Sequence, residues 1–205
     1  MCLAKSSPKK EGNSIKIILA SSSEYRKTLL ERFNVPFTSI SPDIDESPRS
    51  AESPTEQIKR LAIAKARKVS ERQAEALIIG SDQLAVLNGS ILGKPGCHSL
   101  AAQQLQAMKG QSVRFYTGVC VLNTVTANVQ YDCIAVEVKF RDYSDELIER
   151  YLLAERPYHC AGSFKSEQLG IILVESIECP DPTALIGLPL IRLSEMLINE
   201  GVVIL

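Results

Sequence analysis

The sequence contains no apolar run approaching the ~20 residues that a membrane-spanning helix needs. It also has almost no charge excess: 23 Lys and Arg stand against 24 Asp and Glu, a formal net charge of -1. The molecule as a whole therefore has no electrostatic grip on nucleic acid or on an anionic membrane, and an anionic ligand has to be held by a local cluster. The opening MCLAKSSPKKEGNS is polar and basic and lacks the apolar stretch of an export signal. It reads as a disordered tail over residues 1–14, followed by a single domain over 15–205, with the cytoplasm as the expected compartment. The six cysteines, at 2, 97, 120, 133, 160 and 179, include no CxxC pair, which disfavours both a disulfide framework and a zinc site. Cys97-His98 and His159-Cys160 are chain neighbours, which point to opposite faces of a strand and chelate poorly. Reduced, buried or half-buried thiols are expected. The absence of G-x-x-x-x-G-K-[ST] excludes a P-loop nucleotidase, and the absence of G-x-S-x-G argues against an α/β-hydrolase serine.

What is present is a mixed succession of short strand and helix patterns, without internal repeats, and 45% hydrophobic residues are enough for a sizeable core. Lys16–Ala20 reads as a strand running into Ser21-Ser22-Ser23 and then a helix carrying Leu29, Leu30 and Phe33, with Ser23 as N-cap. Residues 37–53 read as a strand and a proline-containing loop. The clearest helix covers 54–71, where Ile58, Leu61, Ala62, Ala66 and Val69 form one stripe. Ala76–Gly80 reads as a buried strand, followed by Ser81-Asp82-Gln83 and by an Asn88-Gly89 hairpin. Helices are expected over 99–109 and 144–154, with antiparallel strands over 112–123 and 129–141. A polar glycine loop over 159–170, a strand over 171–174 and a helix from Pro189 to near Gly201 complete the chain. The order implies an α/β fold: a long, mixed, twisted sheet with flanking helices and a central cleft.

Five constellations could carry chemistry. A strand feeding a serine turn and a helix start offers free amides and a favourable dipole for an anion. Arg26 and Lys27 lie in that first turn, the wrong end for cations unless a phosphate sits there; solvated cations beside a plain Ser23 cap are the alternative. Lys65 falls in the middle of the apolar stripe, so it either snorkels or meets a buried anion. Asp82 follows a buried strand, where α/β enzymes place catalytic groups, or is a turn aspartate. A two-residue Asn88-Gly89 turn would put Lys94 opposite Gln83 rather than Asp82, so a shared site calls for a bulge or twist. Asp45-Glu46 is a loop acid pair of the kind that holds magnesium beside phosphates, or is simply solvated. Glu167 stands in the glycine loop, where ligands are commonly bound.

Taken as an ordered set, LASSSEYRKTLL at 19–30, DIDESPR at 43–49, RLAIAKA at 60–66, IIGSDQLAVLNGSILGKP at 78–95, FYTG at 115–118, HCAGSFKSEQLG at 159–170 and LIGLPL at 185–190 resemble the Maf-like family. The resemblance covers nearly everything after residue 15. It implies an inosine-triphosphate-pyrophosphatase-like fold and pyrophosphohydrolase activity dependent on a divalent metal, magnesium or manganese. It also implies Asp82 as general base, with Lys65 and Lys94 completing the catalytic group, and Glu46 with Asp82 holding the metal. Ser21, Ser23, Arg26 and Lys27 would bind phosphate. The sequence is most similar to the branch acting on 7-methyl-GTP, which has an aromatic residue at Tyr25 and Gln-Glu at Gln83 and Glu167. A cationic 7-methylguanine stacks well on an aromatic face, and a carboxylate accepts from guanine's N1–H and amine together. Lys27 stands where the family usually has a second arginine, and lysine cannot copy arginine's fork; Glu24 adds an unplaced acid. The expected partner is a small-molecule nucleotide, with neither nucleic acid nor membrane; a homodimer is compatible with the sequence. Two alternatives stay open: a Maf-like enzyme of broader base preference, and a non-catalytic nucleotide-binding regulator of cell division.

Overall fold

The computed structural model of the chain describes residues 15–205, so the tail expected over 1–14 lies outside the described residues. Strand β1 (Lys16–Ala20) alternates as a two-sided buried strand must: Ile17 and Leu19 enter one core, Ile18 and Ala20 the other. β2 (Phe37–Ser39) and β3 (Ala76–Leu87) run parallel to it on either side. The short β4 (Ser90–Leu92) folds back on β3 through Asn88-Gly89, both with the positive φ that a tight hairpin turn demands. On its other edge β3 pairs antiparallel with β5 (Ser112–Asn123), then come β6 (Val129–Phe140) and β7 (Val174–Glu178). The result is one mixed sheet of seven strands in the order β2-β1-β3-β5-β6-β7, with β4 beside β3.

Helix α1 (Glu24–Glu31) and helix α5 (Leu190–Asn199) cover one face, packing Leu29, Leu30, Leu193 and Leu197 on Leu19, Leu77 and Ile79. Helix α2 (Pro54–Ser70) covers the other, opened by a capping box between Ser53 and Glu56 with Pro54 in the first turn. Its Ala62, Ala66 and Val69 meet Ile18, Ala20 and Ile78. Helices α3 (His98–Met108) and α4 (Asp145–Glu155) close a further core over Phe115, Val136 and Phe140. No helix among the described residues is long and apolar enough to cross a membrane.

The sheet has a feature that decides where chemistry can occur. β1 stays paired with β3 only as far as Gly80, and β4 joins the same edge only at Ala85. Residues 81–84 therefore lack a strand partner on that edge, while β5 holds them firmly on the other. Two expectations need correcting. Ser81-Asp82-Gln83 are not a connection after a strand but lie inside the 12-residue β3, because pairing with Val119, Gly118 and Thr117 overrides their weak strand propensity. The strand expected over 171–174 is a 3-10 turn over Leu169–Leu173, and strand pairing begins only at Val174. At Gly170 the chain doubles back so closely that a Cβ would stand 2.3 Å from the Lys165 carbonyl oxygen.

Close approach also sets the distance between α2 and β3. A Cβ on Gly80 would lie 2.1 Å from the Ala62 carbonyl oxygen and 3.0 Å from the Ala66 nitrogen. Backbone cannot step aside as a flexible side chain can, so Gly80→Ala should force the helix outward. Overpacking of this kind costs about 1–3 kcal/mol, which at about 2–4 °C per kcal/mol for a domain this size lowers Tm by roughly 2–12 °C. Thermal denaturation checks it; an unchanged Tm would mean the helix was never held at that distance by the glycine.

Candidate active site

The first side of the site is built where β1 ends. The Ser21 amide bonds back to the Leu19 carbonyl at 2.9 Å, turning the chain sharply. The Ser21 hydroxyl oxygen accepts from the Ser23 amide at 3.1 Å and from an Arg26 guanidinium nitrogen at 3.5 Å. Ser23 is the N-cap of α1 and accepts from the Arg26 amide, so the expected cap and the expected serine turn are one structure. Arg26 is fixed by donating its Nε–H to the Gly187 carbonyl at 2.8 Å, the same carbonyl that accepts from the buried Ser81 hydroxyl at 2.9 Å. Gly187 has φ +122, a backbone conformation that favours glycine, while a Cβ there would meet Arg26 Nε at an ordinary contact distance of 3.5 Å. Burial lowers the Arg26 pKa, against the opposing pull of the Asp82 and Glu46 carboxylates. Lys27 does not join this group. It reaches Glu24 at 3.7 Å one turn away, with both side chains in solvent, which also places the unexpected acid.

At the centre is Lys65. Its position on the apolar stripe carries it under the sheet, where only 7% of its side chain is exposed. Rather than snorkelling, its ammonium bonds Asp82 Oδ1 at 2.7 Å and Glu46 Oε1 at 2.8 Å. Asp82 can face α2 because even-numbered β3 residues do, and because its neighbour across the sheet, Gly118, has no side chain to fill the space against Ile58. Glu46 arrives from the long loop after β2. Burial would raise its carboxyl pKa, but the Lys65 hydrogen bond and charge, with the charges of Lys94 and Arg26, hold it below the ordinary range.

Lys94 brings its charge to bear on Glu46, and of the bulge or twist that a shared site calls for, no bulge occurs in the β3–β4 pairing. The β3–β4 register, Ala85 with Leu92 and Leu87 with Ser90, would set it opposite Gln83, but β4 stops at Leu92 and the chain leaves the sheet. It is then tied to the glycine loop: the Gly93 carbonyl accepts from the Gly162 amide and from Gln104, and the Gly96 amide donates to the Tyr158 carbonyl. Further along, Tyr25 meets that loop from α1. Burial pushes its phenol up, with Cys160 and Glu167 adding to the rise and Lys165 opposing it. Glu167 is exposed, touched by the Ser166 hydroxyl at 3.3 Å. Cys160 and Lys165 belong to this end as well. Nothing in their spacing marked them in the sequence.

Gln83 stands apart. Strand alternation turns it away from Asp82, and its amide nitrogen donates to the Ala184 and Leu185 carbonyls and the Thr117 hydroxyl, all near 3.0 Å. It anchors the 3-10 turn over Ala184–Ile186, on the α5 side, to the sheet. Among the described residues the five cysteines are free, Cys97 exposed and Cys120 buried.

The chemistry of the donor set bears on a divalent ion. No group of three or more His, Cys, Asp or Glu able to hold a metal occurs among the described residues, so no all-protein cage is present. Asp82 and Glu46 are nevertheless hard oxygen donors brought together by one cation, and each has a second oxygen that Lys65 does not use. One or two carboxylates completed by water and substrate phosphates is how magnesium is usually held, so the residues fit such an ion.

Known proteins resemble the chain along most of its length. The Maf-like protein family matches residues 16–200. A curated relative from Aromatoleum aromaticum is 52% identical over 189 residues, 92% of this chain and 97% of that protein. Relatives from Methylobacillus flagellatus and Pseudomonas aeruginosa are 54% and 52% identical over 186 residues, 91% of this chain and 97% of each of theirs. All three are named 7-methyl-GTP pyrophosphatase. Among solved structures, a HAM1 protein from Coxiella burnetii covers 63% of this chain and 74% of its own at TM-score 0.46 and 18% identity. A match that runs from β1 through α5, with half-identical relatives over nine-tenths of the sequence, shows that this chain belongs to the Maf-like protein family.

Proposed function

We propose that the protein hydrolyses 7-methyl-GTP to 7-methyl-GMP and pyrophosphate. The observation that carries the reaction type is Lys65, a buried ammonium joining two carboxylates at the open edge of β3, within the field of Arg26 and Lys94. Asp82 orients a water and takes its proton as the water oxygen bonds to the α-phosphorus. The bond from the α-phosphorus to the bridging oxygen breaks, and pyrophosphate leaves. Lys65, Lys94 and Arg26 balance the charge on the phosphate oxygens, and Ser21, Ser23 and the free amides of the α1 N-terminus receive a phosphate group. A magnesium or manganese ion held by Asp82 and Glu46 would neutralise the triphosphate. Lys27, paired with Glu24 in solvent, contributes long-range charge at most.

The names of the relatives support the choice of base. Tyr25 offers a face to a cationic ring, and Glu167 accepts from the N1–H and amine. GTP presents the same edge without the fixed charge, so it should be the poorer substrate. Cation–π attraction of about 0.5–2 kcal/mol means that Tyr25→Ala costs 7-methyl-GTP roughly threefold to thirtyfold more than GTP in kcat/KM. Glu167→Gln should weaken both, since one acceptor becomes a donor facing donors. The test is pyrophosphate release from canonical and methylated triphosphates with magnesium or manganese. Equal losses in Tyr25→Ala, or an unaffected Glu167→Gln enzyme, would favour a broader base preference; no hydrolysis of any triphosphate would leave a binding protein.

A further inference from the structure

Glu155 ends α4, at the negative pole of the helix, where an acid is locally disfavoured. It is also nearly out of solvent, with its side chain 9% exposed, a costly place for a carboxylate without partners. Its partners all belong to the loop that carries Glu167. The Lys165 ammonium donates to the Glu155 backbone carbonyl at 2.8 Å and lies 3.4 Å from Oε2, while Oε1 accepts from the Leu169 amide at 3.1 Å. One turn earlier on the same helix, the Tyr151 hydroxyl donates to the Ser163 carbonyl and accepts from the Lys165 amide, both at 3.1 Å. Lys165 is itself nearly out of solvent, with 13% of its side chain exposed.

We infer that Glu155 is a positioning residue for base recognition: its carboxylate clamps the loop on both sides of Glu167, at Lys165 and at Leu169, and so presents the Glu167 carboxylate in a fixed place. The inference rests on the reading of Glu167 as the group that meets the base. Ordering a loop residue costs about 1–2 kcal/mol of backbone entropy, and a clamp formed in the free protein removes that cost from substrate binding. Among the described residues Glu167 has no other tether than the Ser166 hydroxyl beside it, at 3.3 Å, so its position follows the loop. The effect belongs in KM, because the clamp touches neither Asp82 nor the cations around the phosphates.

Glu155→Gln keeps the size and turns one acceptor into a donor, which then faces either the Leu169 amide or the Lys165 ammonium. The expected result is a roughly fivefold to tenfold rise in KM for 7-methyl-GTP with kcat within about twofold. Amide hydrogen exchange should quicken over 165–170 while α4 keeps its protection. Glu155→Asp, which keeps the charge on a shorter arm and holds one side, should fall between, and serves if the glutamine variant folds poorly. Added to Glu167→Gln, Glu155→Gln should cost less than about twofold more, since two changes acting through one group do not add. Wild-type exchange over 165–170 in Glu155→Gln overturns the clamp whatever Glu167 does, and so do losses that multiply fully in the double variant. A wild-type KM in Glu167→Gln is a separate outcome: it overturns the base reading, and the clamp as a positioning device for it, even where the exchange result shows the loop released.

Discussion

Asp82→Asn will abolish turnover while leaving nucleotide binding close to that of the unaltered enzyme. The asparagine is nearly isosteric and can still offer an oxygen to the Lys65 ammonium, which now stands 2.7 Å from Asp82 Oδ1. It cannot take a proton from water. General-base catalysis is worth about a hundredfold to ten-thousandfold, so kcat should fall by at least two orders of magnitude. The strand explains why binding survives. β3 runs unbroken through position 82, paired with Gly118 on one side, and the serine turn and α1 that receive phosphate hang from β1, whose last β3 partner is Gly80. Measured without added divalent metal, removing one negative charge beside Arg26 and Lys94 should tighten nucleotide binding slightly. Equilibrium binding of a non-hydrolysable triphosphate, set against single-turnover pyrophosphate release, separates the two quantities. An asparagine enzyme whose kcat stays within about threefold would take Asp82 out of the base role.

The two halves of the site differ in how far the sequence discloses them, and the reason is physical. Lys65 was legible because a helix has a fixed period: a lysine at the centre of an apolar stripe has to find an anion or escape, and the structure supplies Asp82 and Glu46. The Ser23 cap and the capping box of α2 are local rules obeyed locally. Gln83 and Asp82 are neighbours in a strand, and such neighbours point to opposite faces, so strand alternation alone separates them. It was hidden because Ser81-Asp82-Gln83 has turn-like composition, and only pairing with β5, more than thirty positions later in the chain, makes it a strand. Glu155, and its hold on Lys165 within the glycine loop, were not legible. Both depend on α4 packing beside that loop, a tertiary fact with no period or spacing to announce it. The gap in the β3 edge between Gly80 and Ala85 is likewise a property of two strands that the sequence places far apart.

Lys65→Met will lose most of its activity and will do so from a folded protein. Methionine fits the apolar stripe, and its flexible chain fills the space that the lysine stem occupies among α2, β3 and β5. What disappears is the one cation joining Asp82 and Glu46, leaving two carboxylates facing each other near a substrate that is itself an anion. Loss of a positioned charge of this kind costs about a hundredfold to a thousandfold in kcat. The acid side of the profile offers a sharper check. In the unaltered protein the Glu46 carboxyl sits below its ordinary range: burial opposes ionisation, but the Lys65 hydrogen bond and charge, with help from Lys94 and Arg26, prevail. A depressed folded value means that the pair stabilises the fold above the unfolded carboxyl's pKa, ~4.3, and loses that contribution as pH falls through the lower folded value. In the variant burial acts without its main opponent, so Glu46 should protonate at a higher pH than before. The Tm gap between the two proteins should therefore be widest near neutrality and narrow as pH falls below about 4. Because the Glu46 side chain is 48% exposed, solvent screening keeps its share of that gap small. A variant with full kcat would reduce Lys65 to a snorkelling residue, and a Tm gap independent of pH would show that the Glu46 contact carries no stability.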